Sequence, residues 1–298
     1  MDAGSDHPLD HTDVTVDQAA EVFRDLGDPT RVGIIAELVS AHRAGETPLT
    51  FGSLRQRLDI ADSGRFNYHL DQLQPRFVQS VEGGYEPRYA ATLAQSLLEG
   101  VGTAEPESLE GTADRPCVLC EEQPVVRYVP DRLTVRCETY GEQLIGMPIP
   151  PAIAEDRSLE AILEFAERYG EHQLSLAMDG VCSYCWGPIE SEFSSTDTFD
   201  NSSALPSVLV ECACRDCEHA FTMVARNVAY EHPAVAGFHY EHGVDLSEGG
   251  LLDRFAELHV VSATLSDGLA TLVFELEGDR LAVVIDGDLE VLEVTAAD

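Results

Sequence analysis

With 298 residues the chain is long enough for two or three domains that each bury a core, and no apolar run approaches the roughly 18 residues that a membrane-spanning helix requires. Its 54 carboxylates face 18 basic residues, all of them arginine, for a formal net charge of -36. Such a surface is most simply a solvated one, and it excludes polyanion binding driven chiefly by charge.

The first 17 residues hold five acids, and no arginine precedes Arg24, which is the wrong charge for a signal peptide. Residues 1–14 read as a disordered, self-repelling tail, and a cytoplasmic chain is expected. From Val16 the spacing of Val16, Ala19, Ala20 and Phe23 predicts a helix that breaks at Gly27. Asp28-Pro29-Thr30-Arg31 places a cap before a proline at the first helical position, opening a helix whose apolar side is Val32, Ile35, Leu38 and Val39.

Leu49–Val78 reads as two helices joined by a short turn. Thr50 can cap the first, whose stripe is Phe51, Leu54 and Leu58, with Arg55 and Arg57 outward. Asp62 or Ser63 can cap the second, and Pro75 ends it. Phe66, Leu70, Leu73 and Phe77 recur at spacings of four, three and four, which is one helix face. The opposite face carries Gly64, Asn67, Tyr68, Asp71 and Gln72, with Arg65 on its shoulder; these types can hydrogen-bond base edges and phosphates. His69 falls on the flank, where packing or a phosphate contact is expected.

Paired amphipathic helices also occur in proteins that never touch DNA, so the flanks matter. Phe77–Val81 and Tyr85–Ala90 read as strands about a turn at Glu82-Gly83-Gly84, a wing; Leu93, Leu97, Leu98 and Val101 then suggest a closing helix. The segments FRDLGDPTRVGIIAEL, LTFGSLRQRL, SGRFNYHLDQL and RFVQSVEGGYEPRYA together resemble the ArsR-like winged-helix transcriptional regulators, in the variant common in halophilic archaea. The acidic, lysine-free composition is similar to that of proteins from such organisms. The resemblance spans residues 15–100. It implies that the helix beginning at Ser63 enters the major groove of double-stranded DNA and that the hairpin at Glu82 to Tyr85 touches the backbone. It also implies a homodimer joined through terminal helices, with Ala19, Phe23, Leu93, Leu97 and Leu98 as contacts. No cysteine precedes Cys117, so the metal-sensing cysteines of the arsenic and cadmium sensors have no counterpart.

Thr103–Arg115 is small, acidic and proline-containing, as a linker would be, which sets a DNA-binding domain at 15–102 and a second domain at 116–298. In the latter a helix is expected over Ser158–Gln173, with Leu159, Ile162, Leu163, Ala166 and Tyr169 inward and Glu160, Glu164 and Glu167 outward. Another is expected over Pro233–His242. Beyond Leu258 the sequence alternates apolar and polar residues and breaks at Ser266-Asp267-Gly268, Glu277-Gly278-Asp279 and Asp286-Gly287-Asp288, predicting four antiparallel strands.

All eight cysteines lie in this second part. Cys182-x-x-Cys185 and Cys214-x-x-Cys217 have zinc-ribbon spacing, and four thiolates at tetrahedral geometry close the shell of a structural Zn(2+). Cys212 is read as a buried small residue, not a fifth ligand. Cys117-x-x-Cys120 with Cys137 looks like a ribbon that has lost a ligand, because Tyr140 stands where a fourth cysteine would. The trio is either a degenerate metal site or, in a different reading, a thiol redox switch. His232, His239 and His242 are read as packing or surface groups. The two cysteine hairpins and the His-Pro and His-Gly motifs, over residues 115–295, also resemble the uncharacterised domain attached to such regulators.

No P-loop, dinucleotide-binding glycine pattern, nucleophile elbow or zinc-protease histidine pair is present, so no enzyme is expected. The expected architecture is α+β: an N-terminal winged helix-turn-helix, then a zinc-ribbon-like module with helices and a C-terminal antiparallel β-meander. The expected function is that of a transcription regulator. Ser63, Arg65, Asn67, Tyr68 and Gln72 would face bases or phosphates, Arg55, Arg57 and Arg76 would position the backbone, and Arg88 would serve the wing. The alternative is a protein-interaction adaptor, favoured by the acidic surplus.

Overall fold

Side-chain caps set where the N-terminal helices begin. In the computed structural model, which describes residues 15–101, 107–120, 122–195, 208–247 and 249–297, Thr15 accepts the amide of Gln18 and opens α1 (Val16–Leu26). Asp28 accepts the amides of Thr30 and Arg31 and opens α2 (Pro29–Arg43). Thr50 accepts that of Ser53 for α3 (Phe51–Arg57), and Asp62 accepts those of Gly64 and Arg65 for α4 (Ser63–Leu73). Each cap satisfies amides that have no partner within the helix, worth about 1 kcal/mol apiece. A hairpin of β1 (Val78–Val81) and β2 (Gly84–Pro87) follows, then α5 (Tyr89–Val101). The tail expected over 1–14 lies outside the described residues.

These elements belong to the first of two compact units, Met1–Ala104 and Glu105–Asp298. Its core joins Ile34, Ile35 and Leu38 of α2, Leu54 of α3, and Phe66, Leu70 and Leu73 of α4, all buried. The hairpin turns on Glu82 and Gly83, with Val81 facing Gly84, so its second strand starts and ends earlier than the alternation suggests; Tyr89 and Ala90 are already helical. Leu49 adds a bridge the alternation does not reveal: its N–H donates to Tyr85 O at 3.0 Å, and the Tyr85 N–H returns to Leu49 O at 2.9 Å. A Cβ at Gly84 would stand 2.1 Å from Leu49 O, so this crossing requires glycine.

The outer helices place their apolar residues in an order periodicity alone does not fix. In α1, Val22 and Leu26 pack on the core while Phe23 is 70 % exposed; in α5, Ala91 and Ala94 are buried and Leu93, Leu97 and Leu98 are open.

The second unit begins inside the stretch read as a linker. The end of that stretch is structured: β3 (Leu109–Thr112) pairs antiparallel with β4 (Val125–Val129), and the sheet continues through β5 (Asp131–Cys137) to β6 (Glu142–Ile149). After α6 (Pro151–Ala154), α7 (Leu159–Met178) runs for 20 residues, about 30 Å. That length serves two cores. Ile162, Leu163 and Ala166 pack with the first sheet, and Leu174 and Ala177 join a second cluster. Glu167, expected outward, is buried, and it meets Arg115 of the stretch read as a linker and the Leu252 amide.

The second cluster is built from β7 (Ile189–Ser195), β8 (Val208–Cys214), β9 (Ala220–Val224), α8 (Arg226–Tyr230) and α9 (Pro233–Glu241), with a meander of β10 (Val260–Ser266), β11 (Leu269–Leu276), β12 (Asp279–Ile285) and β13 (Val291–Ala297); α10 (Leu251–Glu257), which precedes the meander, packs into the first core. The molecule is α+β with antiparallel sheets. Among the described residues no helix is long and apolar enough to cross a membrane.

Candidate metal centres and the open helix face

Two cysteine sets converge among the described residues, and in each the sulfur atoms lie within 4.8 Å of one another. In the first, Cys182 and Cys185 sit on the turn after α7, while Cys214 ends β8 and Cys217 lies on the turn to β9. Cys182 Sγ is 3.7 Å from Cys217 Sγ, and Cys185 Sγ is 3.5 Å from Cys214 Sγ. Tetrahedral metal–sulfur bonds of about 2.3 Å place sulfurs about 3.8 Å apart, so the four are spaced for one ion. All eight cysteines are free thiols.

The backbone around these sulfurs repeats a local pattern. The amides of Tyr184, Gly187 and Asp216 donate to the sulfurs of Cys182, Cys185 and Cys214, each at 3.4 Å. The residue after each pair's second cysteine, Trp186 or Glu218, has a positive φ of 61° or 57°, which turns the chain back into its hairpin. Burial opposes ionisation of Cys214, but amide and thiol hydrogen bonds outweigh it and bring this thiol down to about 7, whereas burial drives Cys185 up to about 12. A bound cation would draw the thiol protons off the set.

Spacing in the sequence does not reveal what supports this set from α7. Gln173, buried, donates from Nε2 to Ser183 Oγ at 3.3 Å and lies 3.1 Å from His219 Nε2. Burial keeps His219 below its ordinary range, so the neutral ring can accept that bond; its ring stacks on Tyr184 with centroids 4.0 Å apart. The available signal was the position of His219, two residues beyond Cys217. Cys212 is buried in the adjoining core, outside the sulfur cluster, and burial raises its thiol to about 11.

Cys117, Cys120 and Cys137 form the second set, with Cys120 Sγ 3.4 Å from Cys137 Sγ. The Thr139 hydroxyl lowers the Cys120 thiol, and burial raises that of Cys117 to about 11. The three histidines are each used locally. His232 caps α9 through Nδ1, buried His239 donates from Nδ1 to Val235 O at 2.8 Å, and His242 bonds Phe238 O and Asp279.

In the first unit, α4 buries Phe66, His69, Leu70 and Leu73 and exposes Ser63, Gly64, Arg65, Asn67, Tyr68, Asp71 and Gln72. His69 therefore packs inward, its Nδ1 3.4 Å from Asp28 Oδ1. The arginines divide into two groups. Arg57 holds Glu37 at 2.9 Å and Glu46 at 2.7 Å, Arg76 holds Asp25 at 2.7 Å, and Arg55 donates to Ala61 O at 2.8 Å. The Arg65 and Arg88 guanidinium groups form no ion pair among the described residues, and both residues are exposed. Asn67 donates to Asp71 Oδ2 at 2.8 Å, one turn along the open face.

Residues 114–291 match the family model described as domain of unknown function DUF7351, and residues 19–97 match the one described as domain of unknown function DUF7347. No curated protein and no solved structure matches the chain. Both cysteine sets lie within the first match, and the open face of α4 lies within the second.

Proposed function

The chain belongs to the DUF7351 family, and we propose, on the separate ground of its N-terminal unit, that it is a DNA-binding transcription regulator of the ArsR-like winged-helix kind. The observation that carries this reading is the open face of α4, where Arg65, Tyr68 and Gln72 project from a helix whose other face is anchored by Phe66, Leu70 and Leu73. That anchoring fixes the outward row on a rigid element, as reading base edges in the major groove requires. The β1–β2 hairpin acts as the wing, with Arg88 beside it. Arg65 and Arg88 are the arginines poised for DNA, since Arg55, Arg57 and Arg76 already have partners within the unit.

The protein works as a homodimer in this reading, and two-fold symmetry gives operator half-sites about 34 Å apart. The Cys182, Cys185, Cys214 and Cys217 set holds a structural Zn(2+), because four soft thiolates at tetrahedral spacing suit that ion and leave it no open position. The protein is a regulator and not an enzyme. A second reading, a protein-interaction adaptor, draws on the net charge of -36, which repels a phosphate backbone.

Selection from random double-stranded DNA at roughly 2 M potassium chloride, where screening falls to about 3 Å or less, separates the two readings. A motif is enriched if α4 reads sequence, and it is lost when Arg65→Ala and Gln72→Ala are combined. No enrichment with folded protein would overturn the regulator and favour the adaptor.

A further inference from the structure

The four-cysteine set serves as an internal standard for the three-cysteine set, since both lie in hairpins of one chain. At Cys182 the N–H donates to Gly187 O at 2.9 Å; at Cys117 the N–H donates to Glu122 O at 2.6 Å, across the same five-residue span. The amide two residues on donates to the first sulfur at 3.4 Å in both, from Tyr184 to Cys182 and from Leu119 to Cys117.

The second halves also correspond. Cys214 ends β8, Cys217 follows three residues later, Glu218 has φ +57°, and β9 then begins. Cys137 ends β5, Tyr140 follows three residues later, Gly141 has φ +70°, and β6 then begins. The described backbone around the three sulfurs thus repeats that of the four-cysteine set at these positions. At the fourth corner Tyr140 stands in place of a cysteine.

That corner is not closed by the residue that occupies it. Tyr140 lies on an exposed turn and is itself 44 % exposed, and a phenol, which must lose its proton to bind a metal, is a poor ligand beside thiolates. Cys117 and Cys137 are buried and Cys120 is partly exposed, so solvent reaches the set at Cys120.

We propose that Cys117, Cys120 and Cys137 form a second metal site, a three-thiolate site for a soft or borderline cation of the zinc class, whose fourth ligand comes from solvent. Binding releases the thiol protons to water, and nothing is oxidised. Because one position is open, a small thiol can enter it, and a chelator can attack the ion there. The site exchanges its ion while the four-cysteine set retains its own.

The test uses the full chain, reduced anaerobically, loaded with Zn(2+) or Co(2+), desalted and assayed for bound metal. Cys120→Ser should hold one equivalent fewer than the parent protein; equal metal content would overturn the proposal. Should Cys120→Ser fail to fold, Tyr140→Cys decides. With cobalt, 2-mercaptoethanol should intensify the thiolate charge-transfer band of the parent protein and leave that of Tyr140→Cys unchanged. A chromophoric chelator should strip one equivalent quickly from the parent and slowly from the variant. A parent protein whose spectrum ignores the added thiol, or whose chelation kinetics match those of Tyr140→Cys, would overturn the open site.

Discussion

Arg115 donates from Nη2 to Glu167 Oε2 at 3.1 Å and from Nη1 to Glu167 Oε1 at 3.1 Å, tying the residue just beyond β3 to the middle of α7. The Leu252 amide also donates to Glu167, and Asp253 accepts from Arg115 at 2.9 Å, so α10 is held at the same point. Burial nevertheless dominates at Glu167 and pushes its carboxyl above the ordinary glutamate range, against the pull of the Leu252 amide and Arg115.

A raised carboxyl makes the ionised pair a cost that folding must carry. This part of the stability is fully present below the unfolded value, about 4.3, and is lost as pH rises through the higher folded value. Arg115→Ala should therefore cost about 3–5 kcal/mol near neutral pH, because it strands a buried carboxylate. The loss should shrink as acid protonates Glu167. Glu167→Gln keeps the shape and the Leu252 bond without the charge, and it should be no less stable than the parent at neutral pH. Denaturant melts across pH 4 to 8 read both, and an Arg115→Ala deficit that is constant with pH would sink the argument.

Removing metal from the four-cysteine set should be visible at Trp186. This residue directly follows Cys185, has φ +61° and is 52 % exposed, and it is the only tryptophan in the chain. An ion bound only by the folded state, at about 1,000 times its dissociation constant, contributes about 4 kcal/mol. Chelation under reducing conditions should lower the melting temperature and shift Trp186 emission, and Cys214→Ser should reproduce both. Metal-free protein that melts and fluoresces like the loaded form would show that the ribbon stands without metal.

What the sequence discloses here is mostly what lies close together along it. The caps at Asp28, Thr50 and Asp62, the stripe from Phe66 to Leu73, the three Cys-x-x-Cys turns and the glycine-containing breaks of the meander are each complete within a few residues. Their physics is local. The partners of Arg57, Arg76 and Arg115 are not, for Glu37, Asp25 and Glu167 lie 20, 51 and 52 residues away, and nothing in the spacing selects them. Leu49 meeting Tyr85 is hidden for the same reason. In α1 and α5, periodicity marks an apolar face without stating what covers it, which is how Phe23 and Leu97 come to be open while Val22 and Ala94 touch the core.

That uncovered face leads to the last prediction. Phe23 is 70 % exposed and Leu97 56 %, with Leu93 and Leu98 also open, on the first and last helices of the unit. Exposed aromatic and leucine side chains gain about 25 cal/mol per Å² when covered, and a second copy of the chain would cover them symmetrically. Phe23→Glu with Leu97→Glu should convert a dimer to a monomer in sedimentation runs at molar salt, where charge repulsion between copies is screened. Neither side chain is in the core, so the melting temperature extrapolated to low protein concentration should change little. Binding to a two-half-site operator should weaken far more than binding to a single half-site. Should the parent protein already sediment as a monomer at micromolar concentration, the two-fold operator geometry would fail with it, while the α4 contacts would stay open to the DNA selection.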